Sequence, residues 1–370
     1  MEEETHGGPF CNGNAYAERF GVRDSVNQPD LPGALMAEVA AAKGTARSKG
    51  SLLELVVMAV TAVLVIAFSL LIDGFATWGN LRVVVANSAS LVILSCGMAV
   101  VIISRGLDLS LIASMVAGAT TFSISINAGM PGSVALLLTI LAMVMVGFVN
   151  GWLVAFAEIP ALLATLASAM FITGLFRFGV LRGEFLLLLP KDNPAVAFFS
   201  HDLVPGLAAP VGLMILMLVA SWLMLRFTTV GRIAYAMGDN FQAARLSGLP
   251  VRTATILVYV FAALAALLAG LVISAASGAV DFRTVTNGGL LFEVILVVVL
   301  GGIPLRGGRG GIGNVLVGAA LIAVLRNGMT LFDFSTQTQD VLKGVVLIAA
   351  IVVDNYLNPK DTETDTVGDL

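Results

Sequence analysis

Few side chains in this chain are of a type, or at a spacing, that could make or break bonds. Gly302 and Gly307 have the separation of a phosphate-binding loop. Gly308 and Arg309 then stand where a lysine and a hydroxyl residue are needed. ATP is not held in that manner, and the glycines read instead as a tight turn that lets helices approach closely. Neither an HExxH zinc pair nor a GxSxG nucleophile turn occurs. Cys11 and Cys96 form neither a disulfide framework nor a metal spacing. His6 and His201 both fall outside the apolar segments, against a histidine-based metal or triad site. Ser104, Ser110 and Ser114 read as hydroxyls bonded within helices rather than as nucleophiles. No catalytic residue, metal ligand or cofactor is expected.

Two acids lie in or between apolar runs, where a charge costs roughly 2.5 kcal/mol or more unless satisfied. Asp108 sits in the polar break Ser104–Ser110, three residues after Arg105. Two half-helices meeting there would expose backbone groups to a solute path; a short loop with an internal ion pair is the alternative. Glu293 lies in the apolar run 289–301, to line a path or to support a helix end. With Ser110 and Asn87, these are the candidate path residues. A transporter driven by protons or sodium usually needs an ionisable relay inside its bundle, and Asp108 and Glu293 are the only candidates. That scarcity points to an energy source on another chain.

The stretch Thr228–Arg252 is where such a source could act. It carries Arg232, Arg245 and Arg252, with Arg226 at its edge, against the single acid Asp239. Asn240 can cap a short helix over Phe241–Leu246, and Gly248 with Pro250 can end it. A capped helix between two apolar segments can be a docking knob for a partner; an ordinary positive loop that fixes topology is the plainer reading.

These segments must be positioned by a membrane fold. Mean hydropathy is +0.96, with 58% hydrophobic and 12% charged residues, more apolar surface than a soluble domain can hide. Aromatics are only 7%, while 39 residues are glycine, which favours close-packed helices over a barrel. The net charge of −4 says little, and no basic surface suggests nucleic acid. The expected fold is all-α: a polytopic transmembrane bundle of about ten spans over residues 51–355, both termini cytoplasmic. Spans are expected near 55–72, 81–103, 111–126, 134–156, 161–180, 211–225, 253–273, 289–301, 314–325 and 341–353. Residues 182–209 are expected as a long loop with a re-entrant or surface segment, and 274–288 as an external polar loop. Residues 1–50 lack the features of a cleavable signal and are expected to be a disordered cytoplasmic tail, and 356–370 a second polar tail. Lys43, Arg47 and Lys49 before the first span, and Arg226, Arg232, Arg245, Arg252, Arg306 and Arg309 in the loops, share one side, as the positive-inside rule requires.

Several motifs, in order, are similar to the membrane permeases of bacterial ABC importers for simple sugars, the ribose/xylose/galactose class. Gly106-Leu107-Asp108-Leu109-Ser110 resembles that family's G-I-D-L-S segment. Asn150-Gly151, Ile159-Pro160 and Thr165-Leu166 resemble its N-G, I-P-P and T-L run. Tyr235-Ala236-Met237-Gly238-Asp239-Asn240, followed by Ala243-Ala244-Arg245-Leu246-Ser247-Gly248, resembles its coupling-loop signature. Glu293, Leu300-Gly301-Gly302 and Gly307-Gly308-Arg309-Gly310 resemble its glycine-rich run. Arg105 departs from a usual glycine, Leu111-Ile112 from V-G, and Ala161 from a frequent second proline. The resemblance covers roughly residues 52–355. It implies an inner-membrane permease working by alternating access, for a monosaccharide or related polyol. It also implies cytoplasmic ABC ATPase subunits docked on Gly238, Asp239, Asn240, Ala243, Ala244, Arg245, Ser247 and Gly248, where small side chains permit close contact, an extracytoplasmic sugar-binding protein, and a second permease copy or homologue within membrane lipid. ATP hydrolysis would then belong to the partner. An ion-coupled secondary transporter of a small polar solute is the alternative.

Overall fold

The computed structural model describes residues 54–204, 206–286 and 288–357, so both expected tails lie largely outside the described residues. The helices are α1 (Glu54–Leu71), α2 (Trp78–Ile103), α3 (Leu111–Asn127), α4 (Gly132–Ala155) and α5 (Ala161–Gly174), the last continued by a π turn, Leu175–Val180. Then follow α6 (Pro194–Ala197), α7 (Ala209–Phe227), α8 (Thr229–Asp239), α9 (Phe241–Leu246) and α10 (Val251–Ser277). After α10 come α11 (Arg283–Thr286), α12 (Gly289–Leu300), α13 (Ile312–Leu331) and α14 (Thr336–Leu357). Among the described residues, seven helices are long and apolar enough to cross a bilayer: α1, α2, α4, α5 with its π turn, α7, α10 and α13. Two further apolar helices, α3 and α12, are shorter.

The bundle is built around α10, which packs against α4, α2 and α3. Small residues make this possible, because helices in lipid gain by close van der Waals approach rather than by escape from water. A Cβ on Gly147 would stand 2.5 Å from Val260 Cα, and one on Gly151 2.5 Å from Ile256 Cα. These glycines are one turn apart, so a groove along α4 receives the backbone of α10. From Leu91 to Ile103 every residue of α2 is buried, so that half is enclosed on all sides and shows no amphipathic stripe. By contrast α1, α4, α5 and α7 expose many apolar side chains, among them Leu70, Leu141, Met170 and Leu216, as a bilayer solvent allows.

Two short sheets qualify the all-helical expectation. β1 (Leu186–Leu188) pairs antiparallel with β4 (Ala279–Asp281), in the register Leu187 opposite Val280. β2 (Asp202–Val204) pairs with β3 (Leu207–Ala208). The apolar patch at 185–189, expected as a re-entrant or surface piece, is therefore an edge that finds a partner past the end of α10. The expected polar loop at 274–288 also begins later than its composition suggests. α10 runs on to Ser277 and stops at Gly278, whose φ of +76° is the left-handed cap that glycine adopts without strain.

Candidate coupling surface and the junction beneath it

Following the chain, the turns at 104–110, 156–160, 228–250 and 301–311 all come to the arginine-rich end of the bundle. The helix α8 begins where Thr228 Oγ1 accepts the Gly231 N–H at 3.1 Å. It then buries Ile233, Ala234, Met237 and Gly238. Asn240 closes α8 and opens α9, its Oδ1 accepting the Ala243 N–H at 2.9 Å. At the far end of α9, Gly248 takes φ +74°, and the Leu249 N–H returns to the Ala244 carbonyl at 3.3 Å. The expected helix thus forms over the expected residues, with both predicted caps.

Its faces divide unequally. Ala244 is 5% exposed and sits in a small apolar cluster with Ile233, Met237, Val251 and Ala254. It seats α9 on this chain rather than facing outward. Gln242, Ala243, Arg245 and Ser247 are exposed, and Leu246 is 86% exposed. Asp239 and Asn240 are exposed at the joint between the two helices, whereas Gly238 is buried. Arg245 and Arg252 both reach Glu158 Oε1, at 3.7 and 3.2 Å, tying the base of α9 and the start of α10 to the turn between α4 and α5. These pairs are solvent-exposed and contribute at most about 1 kcal/mol each.

Beneath α9, three backbones meet with no side chain between them. The Gly308 N–H donates to the Ile103 carbonyl at 2.9 Å, and Gly238 lies over that bond. A Cβ on Gly308 would stand 2.7 Å from Asp239 N, and one on Gly307 2.6 Å from Ile102 O. Gly307 and Gly308 also need glycine for their backbone, with φ of +82° and +75°. Tyr235 Oη donates to the Gly310 carbonyl at 2.7 Å. Burial holds that phenol above its ordinary pKa range, so it keeps its proton and remains a donor. The glycine-rich loop therefore joins α8 to the end of α2.

The same joint continues into the turn that opens α3. Asp108 is 2% exposed, and its Oδ1 accepts from Ser110 N–H at 2.9 Å and Ser110 Oγ at 2.6 Å. Asn150 Nδ2 of α4 donates to Ser110 Oγ at 2.8 Å. Thr165 Oγ1 of α5 accepts the Leu109 N–H at 3.1 Å. Tyr259 of α10 is buried, its hydroxyl beside Gly106 and without a hydrogen-bond partner among the described residues. Arg105 is exposed and makes no ion pair with Asp108; the carboxylate is taken up locally by Ser110. Its φ of +67° lies in the left-handed region that glycine adopts without strain and a residue with a side chain does not.

The remaining path candidates lie elsewhere. Asn87 is exposed, sixteen residues before the end of α2, so about 24 Å along the helix from Ile103. Glu293 is 5% exposed within α12, eight residues before Gly301 and so about 12 Å along the helix from the glycine loop. Arg326 of α13 approaches its carboxylate to 3.8 Å and Lys343 of α14 to 3.7 Å. Lys343 also pairs with Asp340 at 2.9 Å. The four candidates therefore form no single site: Asp108 and Ser110 come together, while Asn87 and Glu293 stand apart. Sequence reasoning missed the orientation of Leu246, the Tyr235 tether and the cations around Glu293. Helical phase hinted at the first; the others join residues far apart in the chain. Among the described residues, no group of three or more His, Cys, Asp or Glu could hold a metal.

Residues 80–351 match a protein family described as "Branched-chain amino acid transport system / permease component". The chain is 32% identical over 314 residues to the ribose import permease protein of Escherichia coli K12, covering 83% of this chain and 95% of that one. It is 31% identical over 299 residues to the L-arabinose transport system permease protein of the same organism, covering 81% and 89%. It is 32% identical over 288 residues to the autoinducer 2 import system permease protein of Photorhabdus luminescens, covering 75% and 82%. No solved structure matches.

Proposed function

The chain belongs to the branched-chain amino acid transport system / permease component family, and from that membership we propose that it forms the translocation path of an ABC importer for a monosaccharide or related polyol. A sugar is favoured over an amino acid because ribose and L-arabinose permeases match along most of their length. Chemistry agrees: a neutral polyol needs scattered hydrogen-bond groups along its route, with tight binding supplied by an extracytoplasmic sugar-binding protein. In this proposal a second permease copy or homologue completes the path, and hydrolysis occurs on separate cytoplasmic ATPase subunits. An ion-driven secondary transporter is not favoured by these relatives.

The observation that carries the reading is α9. It is a rigidly capped, outward-facing helix whose base rests on a glycine joint. Our proposal makes Gln242, Ala243, Arg245, Leu246 and Ser247 the contact face for the ATPase. Asp239, Asn240 and Gly248 fix its angle, and Ala244 seats it. Gly238 passes its movement, through Gly308 and Ile103, to the turn at Asp108 and Ser110. From there Asn150, Thr165 and Tyr259 lead into α4, α5 and α10. Glu293 and Asn87 are assigned to the opposite half of the route. The seven long helices, with α3, α12 and α14, supply the ten spans of this reading. Both ends of the spanning domain are then cytoplasmic, on the side of Arg226, Arg232, Arg245, Arg252, Arg306 and Arg309.

Uptake of labelled pentoses, hexoses, polyols and leucine by cells carrying the complete transporter tests the cargo. Saturable uptake of one sugar or polyol, lost on deletion of this chain, is expected. Uptake confined to leucine would overturn it.

A further inference from the structure

At the arginine-rich end, beside the coupling surface, a cleft of about 310 Å³ opens between α7, α8 and the start of α13. It is lined by Trp222, Leu225, Arg226, Tyr235, Gly311 and Ile312, with no acidic residue among them. Arg226 is exposed and makes no ion pair among the described residues. Its guanidinium lies 5.9 Å from the Trp222 ring and 5.9 Å from the Phe227 ring. No side chain caps the first turn of α13, so its backbone N–H groups add positive potential to the same opening. The Tyr235 hydroxyl is already committed to the Gly310 carbonyl, which leaves the guanidinium as the charged donor.

We propose that this cleft binds the phosphate headgroup of an anionic phospholipid in the inner leaflet. A lipid is preferred to a soluble phosphate because the cleft continues onto an apolar surface. Trp222 and Phe227 are 44% and 60% exposed beside it, at the depth where aromatic side chains favour the membrane interface. Above them Leu216, Val219 and Leu223 form an exposed stripe on one face of α7, against which an acyl chain can lie. An unpaired arginine at this depth meets the negative surface of the inner leaflet, where a single basic residue changes affinity about fivefold. This placement rests on the cytoplasmic assignment of that end made above.

The test is native mass spectrometry of the purified chain with phosphatidylglycerol, with phosphatidylcholine, and with inorganic phosphate alone. Retention of phosphatidylglycerol over phosphatidylcholine is expected, with Arg226→Gln lowering it about fivefold and Arg226→Lys restoring part of it. Equal retention of the two lipids, or unchanged phosphatidylglycerol retention in Arg226→Gln, overturns the proposal. Competition by inorganic phosphate at equal concentration overturns the lipid assignment in favour of a free anion. A matched thermal unfolding curve for Arg226→Gln shows that any loss comes from the site. Because no transport is measured, failure here leaves the importer reading standing, and failure of uptake leaves this site standing.

Discussion

Replacing Gly238 with alanine tests the joint between the proposed coupling surface and the bundle. On an exposed helix this change favours the fold by up to about 1 kcal/mol, because alanine restricts the unfolded chain and suits a helix. Here the new methyl meets backbone. It would stand 2.7 Å from Gly308 Cα, and closer still to Gly308 N and Ile103 O, whereas ordinary contact begins near 3.4 Å. Loop and helix end must therefore separate by at least about 0.7 Å, and the bond between Gly308 N–H and Ile103 O lies in the way. Overpacking of this kind costs about 1–3 kcal/mol, and a lost hydrogen bond about 1 kcal/mol more. Set against the helix gain, the net loss is about 1–3 kcal/mol. Thermal unfolding of the purified variant reads that cost. Copurification of the ATPase should persist, since α9 keeps its caps and exposed face, while ATP-driven uptake falls about 5- to 150-fold, the range that about 1–3 kcal/mol of strain at the coupling step corresponds to. Gly248→Ala is the contrast: nothing lies within 4 Å of its Cβ, so only the strain at φ +74° is felt. A Gly238→Ala variant as stable and as active as wild type would refute the joint.

Leu246→Asp should leave stability within about 0.5 kcal/mol, since the side chain is almost fully exposed, yet sharply reduce ATPase copurification. Full copurification would remove Leu246 from the contact face. Arg105→Gly should stabilise the chain by about 1 kcal/mol in thermal unfolding, by relieving a non-glycine residue at φ +67°. A lower melting temperature would mean that the guanidinium has a role its geometry does not reveal. Asp108→Ala should cost about 1–2 kcal/mol by removing the acceptor for Ser110, while Asp108→Asn, which keeps an oxygen there, should cost less. Equal losses in the two variants would show that the charge, not the acceptor, matters.

Local signals were legible in the sequence. Asn240 and Gly248 bracket α9 because a side-chain acceptor and a left-handed cap act within a few residues of themselves. Hydropathy located the long helices for the same reason: spanning is a property of a contiguous segment. What needed the structure is contact across the chain. The inward turn of Ala244 depends on Ile233 and Val251, and the partner of the patch at 186–188 lies more than ninety residues later, at 279–281. The pairing of Glu293 with Arg326 and Lys343 brings three helices together, and no spacing rule foretells it. Small residues carried the opposite kind of signal. Abundant glycine announced close helix packing, but only the geometry shows that Gly147 and Gly151 serve α10 while Gly238 and Gly308 serve the joint beneath α9.

The most direct test is sugar accumulation by vesicles that hold this chain with the proposed ATPase subunits and binding protein, energised in turn by ATP and by an ion gradient. Accumulation with ATP, abolished when the ATPase subunits are left out and indifferent to an ionophore, is the predicted result. Accumulation by this chain alone, on an ion gradient without nucleotide, would contradict the account.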